Sequence, residues 1–155
     1  MSFPAFLAFP GQGSQHLSML SKGGLSKIAL SGEYSSVLEY CSDLISHDAY
    51  KLIEEGPEEL INQTSITQPL LLLCSYLHFK KLQDSIDIAP AYYAGHSLGE
   101  YSALCCAGYL SFSDTLQILR IRGDAMQNSV PKGKGGMVAV LGSTVETIEK
   151  ILKDN

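Results

Sequence analysis

The residues best suited to covalent chemistry lie in one short stretch, Ala91-Tyr92-Tyr93-Ala94-Gly95-His96-Ser97-Leu98-Gly99-Glu100, where an apolar run meets a Gly-x-Ser-x-Gly turn and continues into a helix-like segment. A serine set between glycines at a tight strand-to-helix turn holds its hydroxyl above the sheet, with the backbone N–H groups that follow aimed at a developing oxyanion. Ser97 therefore reads as a nucleophile on an elbow over 95–99. Glycine and serine are common, however, and the pattern alone is equally compatible with a plain surface turn, so the rest of the chain has to decide.

A second glycine-rich stretch, Gly11-Gln12-Gly13-Ser14-Gln15, follows another apolar run. It begins like a dinucleotide fingerprint, but His16 stands where the third glycine belongs and no Walker pattern occurs, which disfavours phosphate cradling. Two glycines instead let the backbone turn sharply at the carboxyl end of a strand, where open α/β sheets place their ligands. The remaining reactive residue types point to structure. Cys41, Cys74, Cys105 and Cys106 show neither C-x-x-C spacing nor paired histidines, so no metal site and no disulfide framework is implied, and Cys105 and Cys106 read as small core residues in a reducing cytoplasm. His78, alone in an apolar segment, reads as structural rather than catalytic.

The elements that must position Ser97 belong to an ordinary globular chain of 155 residues, 45% hydrophobic and 17% charged. Its net charge of -5 and scattered basic residues argue against nucleic acid as a partner. Residues 1–9 lack a basic start and carry Pro4, which speaks against a signal peptide, and the longest apolar stretch, 69–77, is too short to cross a membrane.

In chain order, 5–9 reads as a strand buried on both faces and closed by Pro10-Gly11. Residues 18–31 read as irregular, 33–46 as an amphipathic helix, and 50–55 as a short helical turn stopping at Gly56-Pro57. Pro57-Glu58-Glu59 reads as a brief helix opening with acidic residues against its positive end. Thr67 is expected to cap a deeply buried helix over 69–82, with a loop over 84–90 feeding a strand over 92–95. After the elbow come a helix over 98–107, closed by Gly108, and a long helix capped by Ser113 and running to about Val130, with Leu116, Leu119, Met126 and Val130 inward. Residues 131–136 read as a linker, 137–141 as a strand, and Ser143-x-x-Glu146 as a capping box for a last helix. One strand and one helix cannot bury a core alone, so 137–155 either docks on the preceding unit or, the favoured expectation, is the opening of a larger one.

Phe9-Pro10-Gly11-Gln12-Gly13-Ser14-Gln15, taken with Gly95-His96-Ser97-Leu98-Gly99-Glu100-Tyr101-Ser102-Ala103, strongly resembles the malonyl-CoA:acyl carrier protein transacylases. Thr67-Gln68-Pro69 and Arg120-Ile121-Arg122-Gly123 with Met126 match that family too, so the resemblance covers nearly the whole chain but only the family's N-terminal part. It implies an α/β fold: an α/β-hydrolase-like parallel-sheet subdomain, supplied in part by 1–131, and a ferredoxin-like small subdomain that begins in 132–155. It further implies that Ser97 takes a malonyl group from malonyl-CoA and passes it to the phosphopantetheine arm of acyl carrier protein in fatty-acid synthesis, without metal or prosthetic group. The matching oxyanion donors are the backbone N–H groups of Gln12 and Leu98. Arg122 matches the arginine that grips the malonyl carboxylate, Gln68 a pocket residue, and His96 a supporting wall residue. Leu98 stands where members preferring methylmalonyl units carry glutamine, which favours malonyl.

A serine nucleophile needs a base, and in elbow folds the histidine follows the serine in the chain. His16, His47, His78 and His96 all precede Ser97, and the family's catalytic histidine lies in its C-terminal portion, so residues 1–155 are expected to be nearly inactive alone. Two rivals stay open: a thioesterase or esterase sharing the elbow, and a non-catalytic truncated fragment.

Overall fold

In the computed structural model, which describes residues 3–32, 34–131, 134 and 140–154, two parallel strands end at the two glycine-rich turns. Strands β1 (Phe3–Phe9) and β2 (Ile88–Gly95) pair from Phe3↔Ile88 to Phe9↔Gly95. The register slips after Ala5, which faces Pro90, so that Phe6 faces Tyr92 and Ala91 is the extra residue. Pro90 has no N–H to give the ladder, and a bulge beside it absorbs the loss. That tolerance is why the strand starts well before the expected 92–95, inside the stretch read as a loop. The expectation that 5–9 is buried on both faces fails: Phe9 is buried, but Phe6 is 65% exposed and Tyr92 69%, because alternate residues point to opposite faces and among the described residues the face carrying Phe6, Ala8 and Tyr92 is left uncovered.

A parallel pair needs a crossover, and the described residues of 10–87 provide it through six helices. The stretch 18–31, expected to be irregular, contains α1 (Met19–Lys22) and α2 (Ser26–Ala29), since burial of Leu20, Leu25 and Ala29 outweighs the polar composition around them. Helix α3 (Ser35–Ile45) is amphipathic as expected: of the apolar residues at helical spacing, Leu38, Cys41 and Ile45 are buried and Val37 and Leu44 partly so; Glu33, its expected start, lies outside the described residues. Asp48 caps α4 (Ala49–Glu55) by accepting the Lys51 N–H at 2.9 Å, and α5 (Glu58–Ile61) opens with its two glutamates as expected.

Helix α6 (Thr64–Ser85) is the axis of the fold and packs against α3, α5 and two later helices. It starts before the expected position. Thr67 is not its cap but a buried residue whose hydroxyl faces the carbonyl oxygens of Ile61 and Gln63, and Pro69 sits inside the helix, leaving the Ser65 carbonyl without its usual donor. Leu70, Leu72, Leu73 and Leu77 are fully buried, each burial worth roughly 1.5–3 kcal/mol.

Beyond β2, α7 (Gly99–Cys106) runs over the expected segment with Ser102 and Ala103 buried. Helix α8 (Phe112–Gln127) is capped by Ser111 rather than Ser113, through the Asp114 N–H at 3.0 Å. Leu116 and Leu119 point inward as expected, but Met126 and Val130 are exposed, Val130 because the helix has already ended. Gly123 permits close approach of α8 to α6: a Cβ there would lie 2.7 Å from the Ser65 Cα. Thr144, not Ser143, caps α9 (Val145–Lys153) through the Thr147 N–H at 3.3 Å. Of the strand expected over 137–141, residues 137–139 lie outside the described set, and Val140 and Leu141 are exposed and not in a strand. The expected linker, and with it the boundary at 131/132, falls largely on 132, 133, 135 and 136, also outside that set. Among the described residues no helix is long and apolar enough to cross a membrane.

The four cysteines are buried in the helical layer. Burial, reinforced by Glu54, pushes the Cys74 thiol up to about 12; burial and Cys105 push Cys106 up to about 12 against a partial offset from Lys80. Cys41 and Cys105 are raised too, again by burial first. At pH 8 the folded protein should therefore react with a thiol reagent at least about a hundredfold more slowly than the unfolded chain, which a timed absorbance assay reads directly.

Candidate active site

The elbow is built by backbone pressed on backbone. The His96 N–H donates to the Phe9 carbonyl at 3.1 Å, carrying the ladder one residue past β2, and the chain then reverses into α7 through Gly99 N–H to His96 O at 2.9 Å and Glu100 N–H to Ser97 O at 3.1 Å. A Cβ at Gly95 would fall 2.0 Å from the Gly99 carbonyl carbon, and one at Gly99 would fall 2.3 Å from the Phe9 carbonyl oxygen. Only glycine fits either place. Between them Ser97 is held at φ 55°, the left-handed region, with its side chain exposed. Strain of this kind costs about 1–3 kcal/mol and is kept where the surroundings over-determine it.

Helix α8 brings Arg122 to this serine. Arg122 Nη2 donates to Ser97 Oγ at 3.0 Å and Nη1 to Gln68 Oε1 at 2.7 Å. Gln68, fully buried on α6, turns its other end to Met126, with Nε2 at 3.3 Å from Sδ. The guanidinium also lies over the Tyr101 ring, 5.8 Å from its centre. Arg120, two residues away on a different side of the helix, pairs with Asp124 at 3.0 Å, whereas Arg122 has no carboxylate partner among the described residues. The cation beside Ser97 is thus held by neutral groups only, an arrangement suited to an anionic ligand.

The Gln12 loop closes the other side. A Cβ on Gly11 would lie 2.6 Å from the His96 carbonyl oxygen and 2.7 Å from its Nδ1, so loop and elbow touch, and the His96 ring stands as a wall against Gly11. The Gln12 side chain donates to Thr64 Oγ1 at 3.1 Å. Among the described residues the backbone N–H groups of Gln12 and Leu98 have no protein acceptor. None of the four histidines hydrogen-bonds to Ser97: His16 Nδ1 lies 2.8 Å from its neighbour's carbonyl, and His78 is on α6 beside Gly23, where partial burial and then Lys81 lower its pKa.

Ser97, Gln12, Leu98, Arg122, Gln68 and His96 are therefore gathered at the carboxyl ends of the two strands. Tyr101 and Met126 fall among the residues matched to the family without an assigned role, and Thr64 was not singled out. Tyr101 lies one helical turn beyond Ser97, a spacing that places it under the same spot, whereas the Thr64 and Met126 contacts depend on how α6 and α8 cross and have no local signal. A separate cleft of about 560 Å³, lined by Phe6, Leu7, His16, Lys22, Leu71 and His78, does not reach Ser97 or Arg122.

Nearly the whole chain is similar in sequence and fold to known proteins. The malonyl CoA-acyl carrier protein transacylase of Haemophilus influenzae is 41% identical over 146 residues, covering 92% of this chain and 45% of the relative. Among solved structures, the malonyl CoA-acyl carrier protein transacylase of Coxiella burnetii is similar with a TM-score of 0.81 at 38% identity, covering 97% of this chain and 47% of that one. A malonyl-transacylase in complex with a type II polyketide synthase acyl-carrier protein is similar with a TM-score of 0.80 at 38% identity, covering 98% and 48%. The chain thus spans about half the length of the relatives it matches. A family model described as the acyl transferase domain matches residues 6–155, and with the elbow, the Gln12 loop and Arg122 in place the chain belongs to that family.

Proposed function

We propose that the protein moves a malonyl group from malonyl-CoA, through an ester on Ser97, to the phosphopantetheine thiol of an acyl carrier protein. The observation that carries this reading is Arg122, a cation without a carboxylate partner among the described residues, 3.0 Å from the elbow serine. In the reaction, Ser97 Oγ attacks the thioester carbonyl and loses its proton to a base; the carbonyl oxygen becomes an oxyanion taken by the Gln12 and Leu98 N–H groups. The carbon–sulfur bond then breaks, CoA leaves as the thiol, and the carrier's thiol reverses the sequence. The malonyl carboxylate lies on the Arg122 fork, which Gln68 and Tyr101 hold in place, while Leu98 carries an apolar, fully buried side chain where glutamine would bring an amide.

We read β1 and β2 as part of an α/β-hydrolase-like parallel sheet in 1–131 and residues 132–155 as the opening of a ferredoxin-like unit, in a cytoplasmic protein of fatty-acid synthesis. The chemistry asks for no metal or prosthetic group. It does ask for a base, and no histidine of residues 1–155 hydrogen-bonds to Ser97, so these residues alone are expected to form the ester slowly if at all. Expressed from its complete reading frame, the protein should take up one malonyl group on Ser97 from malonyl-CoA, read by intact mass, whereas residues 1–155 alone should not label rapidly. Absence of the adduct from both preparations would sink the proposal.

Arg122 separates malonyl transfer from general ester hydrolysis. Arg122→Ala should reduce the preference for malonyl over acetyl thioesters by roughly a hundredfold in kcat/KM, and Arg122→Lys should recover only part of it, because a point charge replaces two parallel bonds. An unchanged preference would favour a hydrolase that does not read the carboxylate.

A further inference from the structure

The last two residues of the Gly11-Gln12-Gly13-Ser14-Gln15 stretch have no part in the reaction as described, yet each is tied to the peptide units flanking Gln12. The Ser14 hydroxyl donates to the Gly11 carbonyl oxygen at 2.8 Å, and the Ser14 N–H reaches the same oxygen at 3.4 Å. That carbonyl and the Gln12 N–H belong to one planar, trans peptide unit, so fixing the direction of the oxygen fixes the opposite direction for the N–H. A hydrogen bond on the oxygen also polarises the unit and strengthens its N–H as a donor. On the other side, the Gln15 Oε1 accepts the Gly13 N–H at 2.7 Å, and its Nε2 is anchored to Asn62 Oδ1 at 2.8 Å, on the turn that opens α6. The loop would otherwise be poorly determined, since Gly13 sits at φ 105° with open space around it.

We propose that Ser14 and Gln15 are positioning residues that aim and polarise the Gln12 N–H toward the oxyanion on the acylated carbonyl, Ser14 through the Gly11 carbonyl and Gln15 by bracing Gly13 against Asn62. The inference rests on the transfer reading above, because it assigns the Gln12 N–H the oxyanion. An oxyanion exists only along the reaction path, so the loss should appear in kcat and leave KM nearly alone. Removing an oxyanion donor outright costs about a hundred- to a thousandfold, and misaiming one should cost about tenfold.

The test uses the protein expressed from its complete reading frame, with malonyl-CoA as donor and two readouts. Ser14→Ala and Gln15→Met should each lower kcat about tenfold with KM unchanged, and Ser14→Thr, which restores a hydroxyl, should recover the rate. In ¹⁵N-labelled protein the Gln12 amide resonance should shift in Ser14→Ala and return in Ser14→Thr. A rate loss carried by KM, or failure of Ser14→Thr to recover it, overturns the proposal, as does an unmoved Gln12 resonance in Ser14→Ala. If the wild-type protein forms no malonyl ester, the transfer reading fails, the inference resting on it falls too, and the spectra still report whether Ser14 orients the peptide.

Discussion

Ser97→Ala should abolish the malonyl adduct and lower transfer by about 10⁵- to 10⁶-fold in protein expressed from its complete reading frame, with no compensating route through a neighbouring side chain. The reason is geometric. The hydroxyl stands alone at the tip of the turn, and what surrounds it is a donor, Arg122, together with N–H groups, none of which can attack a carbonyl. Stability should hardly change, since the substitution keeps the same left-handed backbone and removes only one exposed atom with a single side-chain partner. Intact mass after malonyl-CoA and a thermal melt on the same sample check both halves. A residual adduct in the alanine variant would mean that the acyl group sits elsewhere.

Gly99→Ala should act in the opposite way, through the fold first. Its Cβ would lie 2.3 Å from the Phe9 carbonyl oxygen and 2.7 Å from that of Pro10, and both obstacles are backbone, so no side chain can swing aside. Overpacking against rigid surroundings costs about 1–3 kcal/mol or more, and backbone obstacles place this case at or above the upper end. For a chain of this size such a loss lowers Tm by roughly 5–12 °C. Gly32→Ala is the control: nothing lies within 4 Å of its Cβ, and it should stay within about 0.5 kcal/mol of wild type. A denaturation midpoint for Gly99→Ala equal to that of Gly32→Ala would refute the close packing of elbow on β1.

The site was legible in the sequence where residue type and local spacing suffice. Ser97 between Gly95 and Gly99, after an apolar run and before a helix-like segment, offered an elbow, and the match of the Gln12 loop and Arg122 to a family supplied the context and the partners that spacing alone does not give. Elements failed where the deciding information was not local. Ser111 and Ser113 both offer a hydroxyl, as do Ser143 and Thr144, and only the extended backbone at the first residue of one pair and the second of the other selects the cap. Pro69 suggested a helix start, but burial of Thr67 and Gln68 extends α6 before it. The apolar run 5–9 implied two covered faces, whereas coverage depends on which elements pack above and below the sheet. The contacts of Tyr101 with Arg122 and of Gln68 with Met126 join three helices and have no counterpart in any window of sequence.

The pairing of Phe3 with Ile88 gives this site a place in folding as well as in catalysis. Helices α1 to α6 pack on one another within the crossover, but β1 meets β2 only after the whole crossover is closed, and such distant contacts slow folding far more than they cost in equilibrium stability. The Gln12 loop hangs from the end of β1 and Ser97 from the end of β2, so donor and nucleophile face each other only once the most distant contact of the crossover is made. A reagent that requires both is then a counter of correctly registered molecules: it is silent toward chains that are helical and compact but whose two strands have not met.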